Sequence, residues 1–281
     1  MGESTVWIQA AEPFDGASVL GFLEARAVAS VEEVKGGSYR RSVSLKNGGG
    51  VVSVRPEAAG VRVELELDDA ADAEEALARV RRLFDVEADP APIGAVLGAD
   101  PLLRPLVRER PGLRVPGAMD GFEIAVRAIV GQQVSVAGAR TVLGRLVERF
   151  GAPVAGGPPS GGVLFPAPDA LADADPASFP FPRARGAALV ELARLVAAGE
   201  LRLEPDADLP ETRSRLLAIP GIGPWTVSYI AMRALGDPDA FPRGDVALLR
   251  ALAALDGPAD PDRWRPWRSY AVMHLWRSLG A

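Results

Sequence analysis

Between residues 40 and 68, RRSVSLKNGGGVVSVRPEAAGVRVELELD, apolar and polar positions alternate in three short runs separated by NGGG and EAAG. A period of two with glycine-rich breaks predicts an antiparallel meander. FDGASVLGFLEARAV (14–28) precedes it as a helical segment, and ADAEEALARVRRLFDV (71–86) follows with apolar residues at helical spacing. The first 89 residues therefore predict an α+β subdomain with an antiparallel sheet. ADPAPIG (88–94) is expected to be a linker, since its prolines and small residues interrupt regular structure.

Beyond residue 90 the period of two almost disappears. FEIAVRAIVGQQVSVAGARTVLGRLVERFG (122–151) predicts two helices joined or kinked around Gly131, and GAPVAGGPPSGGVLFPAPD (151–169) a Gly/Pro-rich loop. Five amphipathic or apolar segments follow, at 184–200, 211–219, 224–235, 245–255 and 266–280. They predict a compact all-α part built of short helices. No repeat of 20–50 residues, the signature of a solenoid, is present. The fold class expected is mainly α with an N-terminal α+β subdomain.

Composition narrows the chemistry. The 281 residues are 48% hydrophobic and 24% charged, as in ordinary globular proteins. The absence of cysteine excludes disulfides, thiolate metal sites and a cysteine nucleophile, and the single histidine, His274, argues against a multi-histidine metal centre or a Ser-His-Asp triad. No run approaches the ~20 apolar residues of a membrane span, and the first residues lack the pattern of a secretory leader. The net charge of −6 opposes nucleic-acid binding as a global sum, yet binding is local. Arginine clusters at Arg79, Arg81 and Arg82 and at Arg263, Arg265 and Arg268 lie apart from the acidic stretch 64–76, so charge leaves the partner open.

The strongest local signal is LLAIPGIGPWTVSYIAM (216–232), a helix broken by P-G-I-G-P and restarted at once. Gly221 and Gly223 permit positive φ and close approach, and Pro224 suits the first turn of a new helix. Such a turn presents backbone N–H groups at a helix N-terminus, a site for an anion such as a DNA phosphate. From the glycines alone, a tight αα-hairpin that merely packs two helices fits equally well.

The stretch resembles the helix-hairpin-helix of the HhH-GPD superfamily of DNA glycosylases, with the hairpin at 212–232 and Asp245, in AFPRGDVALLRAL (240–252), at the position of the family's aspartate. RVPGAMDGFEIAVRAIVGQQVSVAGA (114–139) is similar to the family's minor-groove segment. Residues 14–32 and 265–280 resemble the bacterial 3-methyladenine DNA glycosylase II type, so the likeness covers essentially the whole chain. It implies a helix-hairpin-helix glycosylase architecture in three parts: residues 1–89; 114–232 with the hairpin; and 90–113 together with 233–281, carrying the aspartate.

The resemblance implies an enzyme that flips alkylated purines, of the 3-methyladenine and 7-methylguanine type, out of duplex DNA and hydrolyses the N-glycosidic bond. Electron-rich rings can hold such cationic bases by cation–π attraction. Trp225 and Tyr229 lie four residues apart on one helical face, and the resemblance places them with Trp276 in the base pocket. Phe22 and Arg26, one helical turn apart, are candidates for additional wall residues, with a place in the core as the alternative for the ring. Asp245 suits an N-cap of the following helix and, through the resemblance, the role of a carboxylate that stabilises an oxocarbenium-like sugar or orients water. Family members that cleave the strand by Schiff-base chemistry carry a lysine just after the hairpin; here that residue is Trp225, and no lysine occurs from 214 to 281. A monofunctional enzyme is expected.

For DNA contact the resemblance points to Pro220, Gly221, Ile222, Gly223 and Thr226 in the hairpin, and to Gln132 and Gln133, with Gln133 as the wedge that fills the gap left by the flipped nucleotide. No cofactor is required. A structural monovalent cation on the carbonyls of Leu217, Ile219 and Gly221 is a family feature. The partner implied is double-stranded DNA with damaged bases, acted on by a monomer in the cytoplasm at the nucleoid. A non-catalytic hairpin protein that binds DNA or detects damage is the competing reading, and a glycosylase for hypoxanthine, uracil or ethenoadenine is a third.

Overall fold

The computed structural model describes residues 3–155 and 162–280. Five strands, β1 (Glu3–Gln9), β2 (Glu32–Lys35), β3 (Ser38–Ser44), β4 (Gly49–Glu57) and β5 (Gly60–Leu67), form an antiparallel sheet in the order β1-β5-β4-β3-β2. The meander is β3 to β5, in which Val54 pairs with Val63 and Val52 with Leu65, placing buried residues on one face. The sequence reading lacked the two outer strands. In β1 only Val6 and Ile8 mark the alternation, and they find their place by pairing with Val63 and Val61 of β5.

Helices α1 (Gly16–Arg26) and α2 (Ala73–Phe84) accompany the sheet. Leu77, Val80, Leu83 and Phe84 of α2 join Val52, Val54, Val63 and Leu65 in one apolar core. α1 is divided between two cores: Val19 and Leu23 enter the sheet core, while Phe22 enters the helical one. That position brings the last turn of α1, with Arg26, to the boundary between the two.

The expected linker at 88–94 is instead helical: α3 covers Pro90–Ala99. Asp89 caps it by accepting from the Ala91 N–H at 2.9 Å, and Pro90 occupies the first turn, where its missing N–H costs nothing. The remaining helices are α4 (Arg104–Glu109), α5 (Gly121–Val130), α6 (Val136–Phe150), α7 (Pro168–Ala172), α8 (Arg183–Ala197), α9 (Leu209–Ala218), α10 (Pro224–Arg233), α11 (Val246–Ala253) and α12 (Arg268–Ser278). The Gly/Pro-rich loop after α6 begins and ends in a short pairing of β6 (Ala152–Pro153) with β7 (Val163–Leu164); its residues 156–161 lie outside the described residues.

α5 is buried on most sides and packs against α10 and α8, with α11 against α12. The helical residues from Ile93 to Trp276 share one core. A charged cluster joins this core to the sheet: Arg41 of β3 bonds Glu123 of α5 at 2.7 Å, and Arg127 of α5 reaches both Glu123 and Glu32. Glu123 is held down at about 2; burial alone would raise it, but the guanidinium groups of Arg41 and Arg127 outweigh burial. No described helix is long and apolar enough to cross a membrane.

Candidate active site

The hairpin is α9, a five-residue turn and α10. Asp208 caps α9 through the Glu211 N–H at 2.8 Å, and the helix stops at Ala218. Within the turn the Ile222 N–H donates to the Ile219 carbonyl at 3.0 Å, and Gly221 takes φ +93°, a conformation that disfavours any side chain. α10 restarts at Pro224 from Gly223 with no side-chain cap. The N–H groups of its first turn are thus left without an intrahelical partner, as an anion site requires.

The turn residues divide by exposure. Pro220 and Gly221 are exposed and Gly223 half-buried, whereas Ile222 and Thr226 are buried. Ile222 is a core residue whose N–H is engaged within the turn, so its side chain is not available to DNA. Gln132 also departs from expectation: its Nε2 donates to the Gly221 carbonyl and to Thr226 Oγ1, each at 3.0 Å. Both amide donors are therefore engaged in tying the α5–α6 junction to the hairpin. Gln133, the adjacent residue, is exposed and holds φ +57°, an uncommon backbone for a side-chain-bearing residue. Val134 and Val136, which follow it in the chain, are exposed as well.

Of the three carbonyls expected to hold a cation, that of Ile219 accepts from Ile222 and that of Gly221 from Gln132. Each retains a second lone pair, so with Leu217, whose residue is exposed, the set is chemically able to hold a monovalent ion.

Asp245 is the N-cap of α11, with Oδ1 accepting from the Leu248 N–H at 2.7 Å. The same carboxylate accepts two indole N–H groups: Trp225 donates to Oδ2 and Trp276 to Oδ1, each at 3.0 Å. Three donors thus hold it in one orientation at the N-terminus of α11. Gly244, at φ +84°, turns the chain immediately before it.

The rings of Trp225 and Tyr229 stack with centroids 5.6 Å apart, and Tyr229 lies 6.3 Å from Trp276, tilted by 40°. Sequence reasoning missed Arg233, which is buried one turn beyond Tyr229. Its guanidinium donates to the Tyr229 hydroxyl at 3.1 Å and to the carbonyls of Pro116 and Gly117, and stands 4.6 Å from the Phe22 ring centroid. An arginine in an otherwise uncharged helix was its only signal. Burial would raise the Tyr229 phenol, but the charges of Arg233, Arg26 and Arg127 lower it overall. Phe22 is buried and Arg26 lies over its ring at 3.7 Å. Both border a cavity of about 130 Å³ that also touches Tyr229 and Arg233.

This is the fold of the helix-hairpin-helix DNA glycosylases. A 3-methyladenine DNA glycosylase from Archaeoglobus fulgidus aligns with a TM-score of 0.81 over 97% of each chain, at 21% identity. Residues 5–120 match the AlkA N-terminal domain. The chain is 37% identical over 277 residues to DNA-3-methyladenine glycosylase 2 of Escherichia coli (strain K12), covering 95% of both chains, and it belongs to the AlkA family of DNA-3-methyladenine glycosylases. It is 46% identical over 274 residues to a probable bifunctional transcriptional activator/DNA repair enzyme AlkA of Mycobacterium tuberculosis (strain H37Rv). That match covers 95% of this chain and 55% of the relative, so the chain spans about half the length of that protein.

Proposed function

We propose that the chain is a base-excision DNA glycosylase that removes alkylated purines from duplex DNA by hydrolysing the bond to C1′ without cleaving the strand. The carrying observation is the carboxylate of Asp245, fixed by the indoles of Trp225 and Trp276 beside the Tyr229 ring. A DNA-binding module that only grips the backbone requires neither the oriented carboxylate nor the aromatic group around it.

The hairpin holds a phosphate of the damaged strand on the uncapped N-terminus of α10, and Gln133 enters the duplex as the base leaves the stack. The base is received against Tyr229 and Trp276, with Phe22 and Arg26 closing the side. As the bond to C1′ lengthens, positive charge moves onto the sugar. The Asp245 carboxylate stabilises that charge and aligns water for attack. The electron pair of the broken bond goes to the base, and a methylated purine cation departs neutral. Exposed Arg243 and Arg250 next to Asp245, and Arg140 on α6, supply local positive charge despite the net −6. A monovalent cation on the carbonyls of Leu217, Ile219 and Gly221 would brace the turn, and the chemistry does not pass through it. The reading is of a monomer acting in the cytoplasm, in keeping with the DNA-repair relatives.

The test is release of free base. Incubation with duplex DNA treated with a methylating agent is expected to liberate 3-methyladenine and 7-methylguanine and to leave abasic sites. Tight binding without release would favour the non-catalytic binder.

A further inference from the structure

The helix that Asp245 caps is apolar on both sides. Leu248 and Ala251 of α11 belong to the helical core. Helical periodicity places Val246, Leu249, Arg250 and Ala253 together on the opposite face, and all four are exposed. A surface helix ordinarily turns charged and polar residues outward. This one turns out valine, leucine and alanine with a single cation.

Among the described residues Val246, at 62%, and Leu249, at 54%, are the most exposed large apolar side chains. They stand one turn apart. The next two in order are Leu217, at the end of α9 before the hairpin turn, and Val136, which begins α6 after Gln133. These elements are tied together, since Gln132 bonds the hairpin at Gly221 and Trp225 of α10 bonds Asp245. The four most exposed apolar residues thus gather around the site instead of scattering over the surface.

The cations beside them are free. Arg243 and Arg250 are exposed, and among the described residues neither forms an ion pair. Arg265 and Arg268, by contrast, are neutralised by Asp239. A carboxylate that acts at C1′ brings the sugar of the flipped nucleotide to the head of α11, and the strand that carries it continues past. Leu249 and Arg250 stand roughly 5–6 Å beyond Val246 along the helix, within reach of the adjacent nucleotide. That nucleotide presents the C–H surface of deoxyribose and a phosphate charge, which an apolar pair beside unpaired guanidinium groups complements.

We propose that the outer face of α11, with Leu249 and Arg250 at its centre, is a second grip on the damaged strand. It packs against the sugar and phosphate next to the flipped nucleotide, while the hairpin holds a separate phosphate. The enzyme then requires the damaged strand to continue on one particular side of the lesion. The proposal rests on the glycosylase reading of the site.

Leu249→Ser and Arg250→Gln alter exposed side chains, and thermal melting reports the fold. Binding is measured on a duplex with a central abasic site and on two others whose damaged strand ends one nucleotide beyond it, on the 5′ or the 3′ side. On the full duplex Arg250→Gln is expected to reduce the slope of log K against log salt by about 0.9. Leu249→Ser should weaken binding at least ~5-fold with the slope unchanged. On one shortened duplex wild type falls to the level of the variants, and on the other the differences persist. Wild-type affinity and slope in either variant overturn the proposal, as do losses that survive equally on both shortened duplexes. A wild-type dimer that Leu249→Ser dissociates, with DNA binding unchanged, assigns the face to a second copy and overturns it too. A wild type that binds no abasic duplex and releases no 7-methylguanine overturns the glycosylase reading itself.

Discussion

Trp225 and Trp276 grip the Asp245 carboxylate from two helices, one indole N–H on each oxygen at 3.0 Å. The first tryptophan begins the helix after the hairpin, the second ends the aromatic side of α12, and the aspartate caps α11. Three segments distant in sequence are thus locked to one functional group, and the rings proposed to stack the base are the same residues that orient it.

That double role predicts a particular outcome for Trp276→Phe. The phenyl ring keeps most of the stacking surface and removes one donor from a charged acceptor, an interaction of about 1.5–3 kcal/mol. Single-turnover excision should slow by roughly 10–100-fold while the melting temperature changes little. A variant as fast as wild type would separate Trp276 from the orientation of Asp245.

The absence of a lysine near the site makes a second prediction. Lys35 and Lys46 both belong to the N-terminal sheet region, and the position after the hairpin is Trp225. Borohydride added during turnover should trap no covalent enzyme–DNA adduct, and the product strand should remain intact until heated in alkali. A trapped adduct on denaturing gels would contradict the monofunctional reading.

The Glu123 cluster predicts a stability effect without a direct chemical one. Glu123→Gln leaves the buried guanidinium groups of Arg41 and Arg127 short of counter-charge, and breaking such a pair costs about 3–5 kcal/mol. The urea midpoint should fall sharply. A midpoint equal to that of wild type would show the cluster to be energetically idle.

Asp85 carries a pH signature. It sits at the end of α2, accepting from the Tyr270 hydroxyl at 2.9 Å and the Val115 N–H at 3.2 Å, and burial pushes it up to about 6 against the opposing pull of those donors and Arg114. A carboxyl raised in the folded state favours folding when protonated. Its contribution is complete below the unfolded value near 3.8 and is lost as pH rises through about 6. Asp85→Asn retains an acceptor and cannot ionise, so its melting temperature relative to wild type should climb between about pH 4 and pH 7. A difference independent of pH would refute this.

Much of this was legible in the chain. P-G-I-G-P announced the hairpin because few arrangements accommodate two glycines and two prolines between helices, and Asp245, Trp225 and Trp276 could each be singled out. The clamp between them could not, since it depends on how α10, α11 and α12 meet. Arg233 was hard to read for the same reason: a guanidinium on an aromatic face is invisible until burial is known. The resemblance pointed to Ile222 and Gln132 as DNA contacts; the core claims the side chain of the first and the hairpin both side-chain donors of the second. Pro90 was taken as a breaker, when the first helical turn is where proline is tolerated.

Asp245→Asn tests the central claim most directly. Asparagine still caps a helix, so fold and affinity for abasic-site duplex should persist, while the charge that stabilises the sugar cation is gone. Single-turnover release of 7-methylguanine is expected to fall by at least ~100-fold with DNA binding unchanged. Release at the wild-type rate would remove the carboxylate from the mechanism and with it the reading of this site.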